Sequence, residues 1–239
     1  MKKVVVFLSI VVAFSLITPS TIVHGEQVSS LKPTSIAIDH KNKAITFAGV
    51  VMADKWQAYV HPVDRSAEKG FDPDHWHLII SGTQANPGIG RVPVFVAWAT
   101  DIEVSDALAL IGAKAEKGEF GVQSYTERLK KDAHHPDVTP KGSPISVYIT
   151  WNEKDGKEKT VEANEFMENS TGKKLEFVYV GKIHPSHCIA CMYGCPGGKI
   201  ANSSLSVRDY FDRGATWRVR SGILPADGTP VLITLKIKN

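Results

Sequence analysis

From Ser35 onward, apolar and polar positions alternate in short runs. Ile36 and Ile38 share one side of a segment, the polar stretch His40-Lys41-Asn42-Lys43 makes a turn, and Ile45, Phe47 and Val51 continue on alternate positions. Period-two alternation around a polar turn predicts a hairpin of half-buried strands. Two continuous apolar runs of strand length follow, His77 to Ser81 and Val92 to Ala99, separated by a loop that holds Gly82, Pro87, Gly88 and Gly90. Farther on, Ile145, Val147, Ile149 and Trp151 fall on one face of a strand and Ser146, Tyr148 and Thr150 on the other. Asp155-Gly156 is a hairpin turn signal, and Thr160-Val161 begins the returning strand. Leu175, Phe177 and Tyr179 predict another strand, and Val231, Ile233, Leu235 and Ile237 the last, just after the turn Asp227-Gly228.

Helical spacing is rarer. Val104, Leu108 and Ile111 predict a helix over Asp101 to Ile111, with Thr100 and Glu103 as a capping box and Gly112 after the last turn. Ala163 to Asn169 predicts a short helix, and Tyr125 to Lys131 another inside a polar insertion from Gly118 to Ser143. Strands and helices do not alternate regularly, which argues against a doubly wound parallel sheet. The expected fold class is α+β: a mostly antiparallel, β-rich sheet with a few short helices.

The first residues follow a different logic. Met1-Lys2-Lys3 is a short positive start, Val4 to Ile17 is an apolar run, and Val23 and Gly25 are small residues placed for cleavage. This is the pattern of a secretory signal peptide over residues 1–25, and the run is short for a membrane span. The expectation is export by the general secretory route to the periplasm or outside the cell, with membrane attachment only through an uncleaved signal. The mature chain, residues 26–239, is then one domain.

Composition narrows the function. The chain has 239 residues, 43% hydrophobic and 22% charged, which excludes collagen-like and disordered readings. Its net charge is +3, and removal of Lys2 and Lys3 brings the body close to neutral. That balance argues against nucleic acid as a partner. No nucleophile-elbow, phosphate-loop or H-E-x-x-H pattern occurs, so the sequence names no reaction, and whether the protein is an enzyme stays open.

The candidate chemistry lies at residues 184–198. All three cysteines, Cys188, Cys191 and Cys195, fall there at C-x2-C-x3-C spacing, with His184 and His187 before them and Gly194, Gly197 and Gly198 around them. The spacing predicts a turn-rich loop wrapping a metal or cluster, with one of the two histidines as fourth ligand. Cys188, Cys191, Cys195 and Pro196 match the last three cysteines and the proline of a ferredoxin run, with Pro185 where its first cysteine would be. That reading implies an iron–sulfur centre of the 4Fe-4S type, electron transfer and a redox partner protein. Zinc suits a Cys3His set, and copper suits soft thiolates with Met192 close by. The remaining alternative is one disulfide and one spare thiol in a non-redox binding module. His75 and His77, two apart on a strand, form a secondary candidate site for metal or acid–base work, or else simply a hydrogen-bonded strand entrance. His134-His135 reads as a solvated turn.

The stretches His75 to Gly82, Asp106 to Lys114, Ser146 to Trp151 and Leu224 to Val231, with the cysteine segment, resemble the YdjY family of exported bacterial proteins. The resemblance covers Lys32 to Asn239. Members with this cysteine motif are described as ferredoxin-like, which would place the label here on Cys188, Cys191 and Cys195.

Overall fold

A computed structural model of the chain describes residues 35–60, 76–82, 92–116, 137–182, 186–212 and 214–238. The signal segment, His75, His184, the pair His134-His135 and the expected helix from Tyr125 to Lys131 lie outside the described residues. The elements in chain order are β1 (Ile36–Asp39), β2 (Ala44–Val51), α1 (Ala53–Val60), β3 (His77–Ser81), β4 (Phe95–Ala97) and α2 (Asp101–Leu110). Then come β5 (Pro144–Asn152), β6 (Glu158–Glu162), α3 (Ala163–Phe166), β7 (Met167–Asn169), β8 (Phe177–Tyr179) and β9 (Cys188–Cys191). The last are β10 (Ile200–Asn202), α4 (Val207–Asp212), β11 (Trp217–Val219) and β12 (Pro230–Ile237).

The local patterns become the expected hairpins. β1 and β2 pair from Ile36↔Phe47 to Asp39↔Ala44, and the Asp39 carboxylate accepts the Asn42 N–H across the turn at 2.9 Å. On the central strands, Phe47↔Ile233↔Ile149 and Ile45↔Leu235↔Val147 stack apolar side chains in rows on one face. The other face carries hydroxyl pairs, Thr46 with Thr234 at 2.9 Å and Thr150 with Thr160 at 2.8 Å. Cross-strand pairs of this kind set the register, because a one-residue slip would turn the apolar rows to the wrong face.

Assembly of these pieces departs from the expected fold class. Eight strands close into a barrel in the order β2, β12, β5, β8, β10, β9, β3, β4 and back to β2. The pairs β3–β4 and β9–β10 are parallel and the other neighbours antiparallel. The expected α+β, mostly antiparallel sheet is thus replaced by a closed mixed β-barrel with few short helices. The physical reason is that alternation and turn signals specify hairpins, which are antiparallel and local. The two parallel pairs need a crossover that no hairpin signal announces, and the closure joins β2 to β4 across α1 and β3. β3, β4, β9 and β10 are buried at every position, as strands covered on both faces must be.

Closure rests on one strand sharing an edge. The side of β2 facing away from β12 pairs with β1 over Ala44–Phe47 and with β4 over Gly49–Val51. β5 divides its edge in the same way, between β8 and β6. Gly49 stands where the partner changes. A Cβ there would lie 2.7 Å from the Val96 carbonyl oxygen and 2.9 Å from Ile233 Cδ1, so only glycine lets the strands close at this spacing.

Three smaller expectations also shift. The predicted Ala163–Asn169 helix stops at Phe166, because Met167–Asn169 pairs with β11 as a separate ribbon. The Val92–Ala99 strand shortens to β4. Ile38, expected to be half-buried, is 40% exposed because β1 lies outside the barrel ring. α2 forms as expected, with Thr100 Oγ1 accepting the Glu103 N–H at 3.1 Å and Glu103 accepting the Thr100 N–H at 2.8 Å. It lies against β1, β2 and β9. α1 is capped from a distance: the Asp227 carboxylate accepts the N–H groups of Asp54 and Lys55, both at 2.9 Å.

Gly49→Ala is expected to lower stability by about 1–3 kcal/mol, the range for forcing a methyl group into a filled core. A downward shift of the urea midpoint at unchanged slope checks this.

Candidate metal centre

The cysteine segment is not a wrapping loop. Its first half, Cys188–Cys191, is β9, a wall strand between β3 and β10. A regular strand would defeat a C-x2-C site, because residues three apart point to opposite faces. Two irregularities in the β3–β9 register remove the obstacle. Between His77↔Cys191 and Ile79↔Ala190, β3 carries the extra residue Leu78; between Ile79↔Ala190 and Ile80↔Cys188, β9 carries the extra residue Ile189. Each extra residue reverses the facing of the side chains beyond it. Bulges of this type recur beside functional sites, where they re-aim side chains.

The result is a compact donor group. His77 from β3 and Cys188 and Cys191 from β9 place their ligand atoms within 4.8 Å of one another. His77 Nδ1 lies 3.3 Å from Cys188 Sγ, a thiol–imidazole hydrogen bond whose direction depends on the ring tautomer. The Cys191 thiol donates to the Trp76 carbonyl at 3.8 Å and also meets the Cys188 and Cys195 thiols. Its hydrogen bond with Cys188 pushes the Cys191 thiol well above the ordinary range, burial adds to this, and the Cys195 thiol acts in the opposite sense. All four side chains are buried.

The site residues read from the sequence are thus redistributed. His77 joins the cysteines, whereas the sequence pattern set it apart with His75 as a secondary pair. His187 does not join them. Its side chain is exposed, its backbone is left-handed (φ 59°), and its carbonyl accepts the Ser81 N–H at 2.8 Å. Cys195 sits in the following turn, where its sulfur accepts the Gly197 N–H at 3.4 Å, and it is outside the three-donor group.

Three polar residues that sequence reasoning passed over hold this segment. Asn202 is fully buried; its Nδ2 donates to the Met192 carbonyl at 2.9 Å, and its Oδ1 accepts the Glu176 N–H at 2.9 Å. Lys199 is fully buried too. Its backbone N–H is shared between the Cys188 and Ile189 carbonyls, and its ammonium pairs with Asp101 Oδ2 at 3.0 Å. Asp101 opens α2, so this ion pair ties the helix to the cysteine strand. The only signal in the chain was a lysine set directly before the apolar pair Ile200-Ala201. Beside the cysteines, Tyr193 packs edge to face with Tyr210 and Trp217 and at a 58° tilt on Trp76, and its hydroxyl donates to the Ala215 carbonyl. Burial pushes the Tyr193 hydroxyl far up, which keeps it protonated as a donor. Gly198 allows the turn to return over the site, since a Cβ there would meet the Ile200 carbonyl at 2.5 Å and the Cys191 Cβ at 3.3 Å.

A family model, the YdjY domain, matches residues 36–236, and no curated protein or solved structure matches the chain.

Lys199→Met leaves Asp101 charged and buried, so a loss of about 3–5 kcal/mol is expected. Adding Asp101→Leu removes the stranded charge and should recover much of that loss. Urea unfolding of the single and double variants checks the pair, and an additive result would refute the coupling.

Proposed function

The chain belongs to the YdjY family, and from that premise we propose that it is an exported protein that holds one thiophilic metal ion on His77, Cys188 and Cys191. One observation carries this reading: two compensating bulges aim three soft donors from two neighbouring strands at a common point. The distances suit a single ion. Sulfur and nitrogen ligands bound at the usual zinc distances stand about 3.4–3.8 Å apart, and here His77 Nδ1 and Cys188 Sγ are 3.3 Å apart with all three donors within 4.8 Å. A four-iron cluster puts each thiolate on a different iron and spreads the sulfurs more widely, so the donor spacing favours zinc or copper over a four-iron centre.

The two metals imply different roles. Zinc would link β3 to β9, with three protein donors filling three of the four positions it ordinarily takes. Copper would support electron transfer and call for a redox partner protein. The chemistry of the bound ion would be that of a Lewis acid for zinc or of a one-electron carrier for copper. The chain's own contribution is to bury the site, aim two thiols and an imidazole at one point and hold the two strands in register through Lys199 and Asn202. Export fits the leading segment, Met1 to Gly25.

Elemental analysis of protein recovered from the exported fraction is expected to give close to one zinc or copper per chain without inorganic sulfide. Cys188→Ser, Cys191→Ser and His77→Ala should each lower metal affinity by about 10-fold or more, the scale for losing a group that holds or orients the metal. Cys195→Ser should keep the ion. Iron with sulfide would overturn the single-ion reading, and a reduced, folded protein that takes up no metal would overturn the metal reading altogether.

A further inference from the structure

The three thiols are not equivalent, and backbone geometry decides which two can bond. Cys188 and Cys191 bracket an extended strand paired on both sides, with Ala190 and Cys191 opposite Ile200 and Ala201, and with Cys188 opposite Ile80. A regular strand would separate Cα atoms three residues apart by ~10 Å, and the bulge at Ile189 shortens that span while the partners on both sides stay paired. A disulfide needs about 4.4–6.8 Å. Side chains can lean together across that span to share a metal, but a covalent bridge would pull β9 off both neighbours. Cys195 stands differently. The chain turns at once after β9, with the Cys195 N–H bonded to the Tyr193 carbonyl at 2.7 Å and the Gly198 N–H to the Cys195 carbonyl at 3.3 Å. That turn brings the Cys195 thiol onto the Cys191 thiol. Gly197 and Gly198 pass beside both, a Cβ on the first lying 3.5 Å from Cys195 Sγ and on the second 3.3 Å from Cys191 Cβ.

We infer that Cys191 and Cys195 are a redox-active pair whose disulfide takes Cys191 away from the metal centre. The pairing rests on the strand and turn geometry and on the contact between the two thiols; the loss of metal rests also on the reading of His77, Cys188 and Cys191 as ligands. The oxidant is a small disulfide, R–S–S–R. Cys195, at 4% the most exposed of the three, attacks one sulfur and expels R–S⁻, forming a mixed disulfide. Cys191 then attacks Cys195 Sγ and expels the second R–S⁻. The protein has lost two electrons and two protons, and the reagent leaves as two molecules of R–SH. In the metal-loaded protein Cys191 gives up its ion in the second step. Cys188 keeps its thiol beside His77.

The test is oxidation of the full, reduced chain with oxidised glutathione, alkylation of the remaining thiols, and fragmentation mass spectrometry of the tryptic peptide of residues 183–199. The expected product is two hydrogens lighter, linked between residues 191 and 195, with Cys188 alkylated. Cys188→Ser should form the same link and Cys195→Ser none. A disulfide that includes Cys188, or three alkylated thiols, would overturn the pairing. For the metal step, zinc-loaded wild type is expected to release its zinc to a chromogenic chelator in proportion to disulfide formed, while Cys195→Ser retains it. Disulfide formation without zinc release would overturn the coupling. A reduced chain that never binds zinc would instead overturn the metal reading and leave the mapped disulfide standing.

Discussion

An open sheet edge exposes a row of backbone donors and acceptors, and this chain removes its central edge by closing β2 on β4. The closure is short, Gly49–Val51 against Phe95–Ala97, and it takes β4 off the edge, so the strand that flanks β3 is itself paired on both sides. A bulge at a free edge would fray. Between two intact ladders it is held, and here two are held in succession. The donor group of His77, Cys188 and Cys191 is therefore held by the β3–β4 and β9–β10 ladders on either side, and the closing pair β2–β4 lies one strand beyond.

Burial of that group would be unfavourable without polar support nearby. Lys199 and Asp101 form a buried ion pair, and such a pair adds little net stability compared with an apolar replacement. Its effect is on position: the first turn of α2 cannot move without the strand turn that ends at Lys199. Asn202 does the same for the end of the cysteine segment, satisfying the Met192 carbonyl on one side and the Glu176 N–H on the other. The Tyr193 hydroxyl ties the middle of the turn to Ala215. Together these contacts hold the thiols by their backbone, so the side chains remain available for chemistry.

Bulge and turn also separate two uses of sulfur that spacing alone leaves mixed. C-x2-C on a flexible loop can form a disulfide or bind a metal. C-x2-C on a strand paired on both sides favours the metal, because drawing the two Cα atoms into the range of a bond would pull the strand off its neighbours. C-x3-C across a turn has no such restriction. One cysteine, Cys191, belongs to both arrangements, and this shared membership is the structural basis for coupling oxidation to metal loss.

Much of the architecture was legible in the residues themselves. The hairpin around Asn42, the alternation from Ile145 to Trp151, the Thr100–Glu103 box and the strand before Ile237 are local features, determined by side-chain period and turn chemistry. Family membership was legible for the same reason, since short local stretches carry it. The cysteine density at 188–195 was visible as well. Only the tertiary structure decided that Cys188 and Cys191 stand in a barrel wall, that His77 is their neighbour and that His187 faces out. Each of these comes from pairings between segments more than a hundred residues apart or from single inserted residues at Leu78 and Ile189, and neither leaves a period in the sequence.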